Sequence, residues 1–297
     1  MVSVAAPARD AAGSERRGQV YVALAAVAWS TAGVLQRQLS LDLPTQVAGR
    51  ALFAALALLA YVAVVERGRV ALASRSVGIA GVGLAVCLAV ASGAFLAALD
   101  HTTVARVLFI QAMAPVLAAV LARVLLGEPV DRRTAVALTL ALAGVAVMLG
   151  APGGADPVGD ALALLMALAF ATAMVITRYR RDVSMAPATC LSQVLLLLVF
   201  LPFATLGAVG GGDLVALGLL GGGQIGLGLV LFTIGARLIP AAQVGLITLL
   251  EVVLGPLWVW LAFAERPNAA TLIGGTIVVA AIVYQTRAAP RTAAVPR

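Results

Sequence analysis

A chain of 297 residues with one histidine (His101), two cysteines (Cys87 and Cys190) and no lysine has few ways to do covalent chemistry. Without lysine there is no Schiff base, which excludes a retinal protein or a lysine-dependent lyase, and no P-loop lysine either. One histidine and two cysteines in apolar stretches cannot supply a zinc site, a bis-histidine haem or an iron-sulfur cluster. No cofactor and no metal are therefore expected. What stands out instead are single charges inside apolar runs: Glu251, Arg50 and Arg106. Glu251 lies about eleven residues from either end of its run, a depth at which an acidic side chain costs roughly 2.5–3.5 kcal/mol. Such an acid couples protons or holds a substrate ammonium group; alternatively it forms a structural ion pair or stays neutral on a hydrogen bond. Arg50 and Arg106 are its candidate partners, each about five residues, or about 7 Å, inside the outer end of its helix.

Polar and aromatic side chains at similar depth are Trp29, Ser30, Thr31, Phe95, Gln111, Thr172, Gln224, Thr248 and Trp258, with Thr233 and Gln243 beside them. That mixture is usual for a small-molecule pocket. Trp260 sits where tryptophan commonly anchors the membrane interface. Arg37 and Arg178 are expected to snorkel from helix ends. His101, in a short turn with Asp100, is either a gate or pH sensor or a solvated turn residue. Pro115 and Pro256 each remove a backbone hydrogen bond, freeing the carbonyls of Gln111 and Val252. They predict helix kinks, which either line a cavity or are satisfied by neighbouring helices.

The elements that must hold these groups follow from composition. The chain is 62% hydrophobic and 11% charged, with a mean hydropathy of +1.07; soluble domains run at about 45–50% apolar and about 25% charged. A soluble enzyme, a nucleic-acid binder and a receptor with a large ectodomain are excluded, and the lipid bilayer becomes the main partner. Apolar runs between turn signals predict ten spans, at 20–39, 45–65, 76–99, 102–125, 132–150, 158–178, 187–206, 213–236, 240–263 and 268–286. With the N-terminus in the cytoplasm, fifteen arginines fall on the inner side and one, Arg266, in an outer loop. This positive-inside bias predicts both termini inside, and it accounts for the net charge of +7 without nucleic acid.

The chain also repeats. An offset of 137 carries Ala105–Ile110 onto Ala242–Ile247 and Gly127-Glu128-Pro129 onto Ala264-Glu265-Arg266, with Phe95 falling on Phe232. The same offset relates Gly81, Ala85 and Ala89 to Gly218, Gly222 and Gly226, small-residue ladders expected to pack against the fourth and ninth spans. An offset of 141 pairs Trp29-Ser30-Thr31 with Phe170-Ala171-Thr172, and Arg37 with Arg178. The fold expected is an all-α integral membrane protein of ten helices in two inverted-topology five-helix repeats. The divisions are a tail at 1–19, repeats at 20–150 and 158–287, an outer linker at 151–157 and a tail at 288–297. Glu128 and Glu265 are expected to face the N-terminus of the helix that follows each.

The ten-span plan, the paired Glu turns and the run Leu250-Glu251-Val252 resemble the drug/metabolite transporter superfamily, in particular its EamA-type members, over residues 19 to 287. The family's Glu-Pro reads Glu251-Val252 here, with Pro256 displaced, and Ala114-Pro115 in the first half. The resemblance implies a secondary transporter of the bacterial inner membrane, closest to exporters of amino acids including the aromatic branch. An amino acid would set its ammonium on Glu251 and its carboxylate on Arg50 or Arg106. A broad exporter of drugs or hydrophobic amines is the alternative; an intramembrane enzyme or a non-transporting scaffold would be a different class. Monomer and homodimer both stay open.

Overall fold

A backbone in lipid has no water to satisfy its N–H and C=O groups, so apolar runs of this length close their hydrogen bonds within each segment as helices. The computed structural model describes residues 6–36, 38–65, 67–68, 75–150, 156–264 and 266–287. Among these, ten helices are long and apolar enough to cross a membrane: Gly13–Gln36, Leu43–Val65, Gly78–His101, Arg106–Leu126, Arg132–Leu149, Pro157–Tyr179, Ala186–Phe203, Gly211–Ala236, Ala241–Phe263 and Ala269–Thr286. The second to tenth lie within about one helical turn of their expected bounds. The first differs, because its helix starts at Ala6, inside the stretch expected as a tail. Arg37, Glu265, residues 151–155 of the linker and the 288–297 tail lie outside the described residues.

Packing carries the duplication. The third span lies against the sixth as the eighth lies against the first; the fourth meets the sixth as the ninth meets the first; the third meets the seventh as the eighth meets the second. The second and seventh, fourth and ninth, and fifth and tenth spans meet each other. Shifting every span number by five turns this set of neighbours into itself, as a two-fold axis requires. Five is odd, so the axis lies in the membrane plane and the repeats are inverted. Span ends bearing Arg67, Arg75, Arg132, Arg133, Arg178 and Arg237 fall together at one end of the bundle, called the arginine-rich end below.

The small-residue ladders pack, but not against the fourth and ninth spans. Gly81 faces Ala188 of the seventh span, and a Cβ on Gly226 would come within 3.0 Å of the Ala57 Cβ of the second. The correction has a simple cause: the third and eighth spans pair with the first helix of the opposite repeat, which turns their small faces toward the second and seventh spans. The fifth and tenth spans, featureless in sequence, close on each other where a Cβ on Gly144 would stand 2.8 Å from the Gly274 carbonyl.

The repeated turn is conserved between the halves in its geometry. Gly127 and Ala264, 137 residues apart, both end a helix in the left-handed conformation, at φ 68° and 58°. Asp131 and Asn268, at the same separation, both cap the next helix by accepting a hydrogen bond from the backbone N–H of Thr134 and of Thr271, each at 2.8 Å. A side chain in the left-handed region costs about 1–2 kcal/mol, which glycine avoids at some cost in chain entropy. Ala264→Gly is therefore expected to stabilise the protein by about 0.5–1 kcal/mol, read as a higher melting temperature in detergent; a lower one would contradict this account of the turn.

Pro256 is not where the helix of the ninth span is interrupted. It lies inside the helix Leu250–Phe263, and the interruption comes seven residues earlier, at Leu249. There the N–H of Leu249 reaches Leu246 and that of Val252 reaches Leu249, three residues back instead of four. The fourth span is interrupted at Ala112 and Met113, with Pro115 in the first turn of the helix Ala114–Leu126. The offset of 137 carries Ala112 onto Leu249, so the breaks match although the prolines do not. At the juncture a Cβ on Gly245 would stand 2.7 Å from the Pro115 Cα, so the two spans cross in close contact beside their breaks.

Candidate functional site

Three irregular stretches of backbone place the candidate side chains. The first span is interrupted at Thr31, between Ala6–Ser30 and Ala32–Gln36. The eighth is wound as a π-helix over Leu219–Gly226, a conformation frequent at functional sites. The ninth is interrupted at Leu249. Ser30 precedes the first irregularity, Gln224 lies within the second, and Glu251 follows the third in the first turn of its helix.

Hydrogen bonds draw three of these side chains to the end of the helix Ala6–Ser30. The Trp258 indole N–H donates to the Ser30 hydroxyl oxygen at 2.8 Å, and the Gln224 amide donates to the Trp29 carbonyl at 3.0 Å. Glu251, Gly255 and Trp258 follow the i, i+4, i+7 spacing of one helix face. A Cβ on Gly255 would lie 4.0 Å from the Ser30 carbonyl, so Glu251 points to the same side of the first span, one turn from the Ser30 contact. Its carboxylate is partly buried, and among the described residues none donates a hydrogen bond to it or pairs with it.

Trp29 is more deeply set than a cavity wall. It is 8% exposed and packs edge-on to Phe170, with ring centroids at 6.1 Å, and against Phe232 at 5.4 Å. Phe170 stacks on Phe232 at 5.7 Å. Because the offset of 141 pairs Trp29 with Phe170, each repeat gives one aromatic from its first span to a shared cluster. Phe95 packs near Phe170 on a neighbouring apolar cluster. Thr31, Thr172 and Thr248 donate to the carbonyls of Ala28, Leu168 and Gly245 in their own helices. Gln111 and Gln224 are different, since each has a buried side-chain oxygen without a hydrogen-bond partner among the described residues. Phe95, Gln111 and Thr172 are not joined to Glu251 by any contact described above.

The two arginines divide. Arg106 makes a two-pronged ion pair with Asp160, in the first turn of the sixth span, and is not the partner of Glu251. Both residues lie within a turn of the same membrane end, where a guanidinium and a carboxylate facing each other satisfy both forks at once. Arg50 instead lines a narrow cleft with Gln36, Gln46, Leu96 and Leu220, away from the arginine-rich end, and among the described residues no acid pairs with it.

At the arginine-rich end two further expectations are corrected. Arg178 does not snorkel: it donates to Glu128 at 2.6 Å and to the Arg237 carbonyl at 2.9 Å. Glu128 does not serve the helix that follows it, which Asp131 caps; its second oxygen accepts from the Ala241 N–H at 3.4 Å, at the start of the ninth span. A carboxylate there complements the helix N-terminus of the other repeat. At the opposite end, the Thr205 and Thr45 hydroxyls donate to Asp42 and hold its carboxyl below the usual range, tying the loop between the first and second spans to the one after the seventh.

Asp160, the aromatic cluster and the π-helix were beyond a reading of single residues. Asp160 did leave a signal, being an acid one turn inside the end of its span at the depth of Arg106. The aromatic cluster left one too, in the repeat offsets of 137 and 141 that align Phe95 with Phe232 and Trp29 with Phe170.

Ten membrane-length helices in two inverted repeats, several of them broken within the membrane, are an architecture found among membrane transporters. The EamA-like transporter family matches residues 16–150 and again 157–286, and the chain belongs to that family, within the drug/metabolite transporter superfamily. It is a multi-pass membrane transporter, and the family's members are transporters rather than enzymes. A solved crystal structure 21% identical in sequence superimposes with a TM-score of 0.76, covering 91% of this chain and 96% of its own. At that identity the likeness is one of fold. No curated protein matches the chain.

Proposed function

We propose that this transporter moves amino acids, aromatic or broadly neutral, and similar small zwitterions outward across the bacterial inner membrane by alternating access. The observation that carries the reading is a pair of opposite charges at membrane depth, Glu251 and Arg50, each without an ionic partner among the described residues. An unpaired charge in a low-dielectric setting is costly, and a zwitterion supplies both missing counter-charges in one molecule. Ser30, Gln224 and Trp258 gather at the break of the first span, on the side that Glu251 faces; Trp29, Thr31 and Thr248 stand beside the breaks of the first and ninth spans, and Phe95, Gln111 and Thr172 are candidates further from the acid. The repeats at 20–150 and 158–287 are the moving units, joined by an outer linker at 151–157. The tails at 1–19 and 288–297 face the cytoplasm, as the fifteen inner arginines favour.

Proteoliposomes loaded with labelled amino acids test this directly. Exchange is expected for a subset of neutral amino acids. Exchange of hydrophobic amines without any amino acid would replace the reading with the broad amine exporter, which Trp258 on the Glu251 face of its helix favours. No flux for any of the twenty amino acids would end the amino-acid reading.

A further inference from the structure

We propose that Glu128 is a gate residue: it bolts the arginine-rich end by joining the two repeats, and each transport cycle requires its release. The proposal rests on alternating access but not on the identity of the substrate. One oxygen of Glu128, at the end of the fourth span, accepts from Arg178 at the end of the sixth at 2.6 Å. The other accepts from the Ala241 N–H that opens the ninth. One carboxylate of the first repeat thus holds two elements of the second. Arg178 extends the bolt to the Arg237 carbonyl of the eighth span, and Arg237 in turn donates to the Arg181 carbonyl at 2.7 and 2.9 Å. The side chains of Arg178 and Glu128 are 16% and 22% exposed, partly withdrawn from water, which strengthens a charge-assisted hydrogen bond.

The surroundings fit a closed gate. Every residue from Ala241 to Leu249 is buried, and Gln243 donates to Glu15 of the first span at 3.3 Å. Beyond the break, Val252 is the one buried residue of Leu250–Phe263. The cleft holding Arg50 opens at the opposite end. The helix Ala241–Thr248 joins the bolt to the break beside Glu251 over about 12 Å. A rigid element of that length carries a displacement at the break to the bolt, and the reverse.

The test measures access from each side and needs no substrate. In the full chain with Cys87→Ser and Cys190→Ser, one reporter is Val244→Cys, fully buried one turn inside the bolt. The other is Gln36→Cys, at the mouth of the Arg50 cleft. A membrane-impermeant charged thiol reagent is applied to reconstituted protein from the arginine-rich side for Val244→Cys and from the opposite side for Gln36→Cys. Glu128→Gln is expected to raise labelling of Val244→Cys about tenfold, the scale of a hydrogen bond to a charged group. It is expected to slow labelling of Gln36→Cys, because opening one end closes the other. Unchanged rates at both positions overturn the proposal. So do faster rates at both, which indicate general loosening. If Glu128→Gln does not fold, Arg178→Lys, which keeps the charge and loses the planar fork, is read by the same two rates. Loss of amino-acid exchange with these reciprocal rates intact would remove the substrate reading and leave the gate standing.

Discussion

Glu251→Gln is expected to lower transport at least tenfold while leaving the protein as stable as before or more so. The side chain stands in the first turn of the helix after the Leu249 break, and no described residue satisfies it. An acidic group near mid-span costs roughly 2.5–3.5 kcal/mol, and a neutral amide of the same shape removes most of that cost. A structural acid behaves in the opposite way, since taking the charge from a satisfied pair leaves its partner exposed to the penalty. Melting temperature and exchange rate measured on the same preparation decide between the two. A destabilised variant with transport intact would make Glu251 a structural residue and remove it from the site.

Arg50→Met is expected to raise the KM for amino acids by about 10–100-fold, the scale of a hydrogen bond between charged groups. Transport of the corresponding amines, which lack the carboxylate, should change little. Methionine keeps much of the apolar stem, so packing along Leu96 and Leu220 is largely retained. Arg106 is the control, because its guanidinium is already occupied by Asp160; Arg106→Met is expected to lower stability without selecting between acids and amines. Equal losses for both substrate classes in Arg50→Met would show that Arg50 does not read the carboxylate.

The span count and the duplication were legible because both are properties of local sequence. Hydropathy fixes which runs cross a membrane, and the offset of 137 found in sequence relates the caps Asp131 and Asn268, the left-handed residues Gly127 and Ala264, and the breaks at Ala112 and Leu249. Choice of partner was not legible. Arg106 with Asp160 and Glu128 with Ala241 join segments 54 and 113 residues apart, and the pairing is set by how the repeats cross. The interruption of the ninth span was not legible from Pro256 for a related reason. A proline inside a helix removes one hydrogen bond without ending the helix, whereas the Leu249 break lies where Gly245 lets Pro115 approach. The glycine-rich run of the eighth span read as a packing ladder; it packs against the second span as a π-helix.

The breaks at Ala112 and Leu249 are equivalent, but the residues that follow them are not: Ala114-Pro115 in one repeat, Glu251-Val252 in the other. Two identical halves would carry an acid after each break, and like charges held near one another oppose each other's ionisation. With the acid kept in one half, the proposed site neutralises one positive charge at a time. In that proposal, proton and substrate ammonium would compete for a single seat, and the competition would itself be a means of exchange.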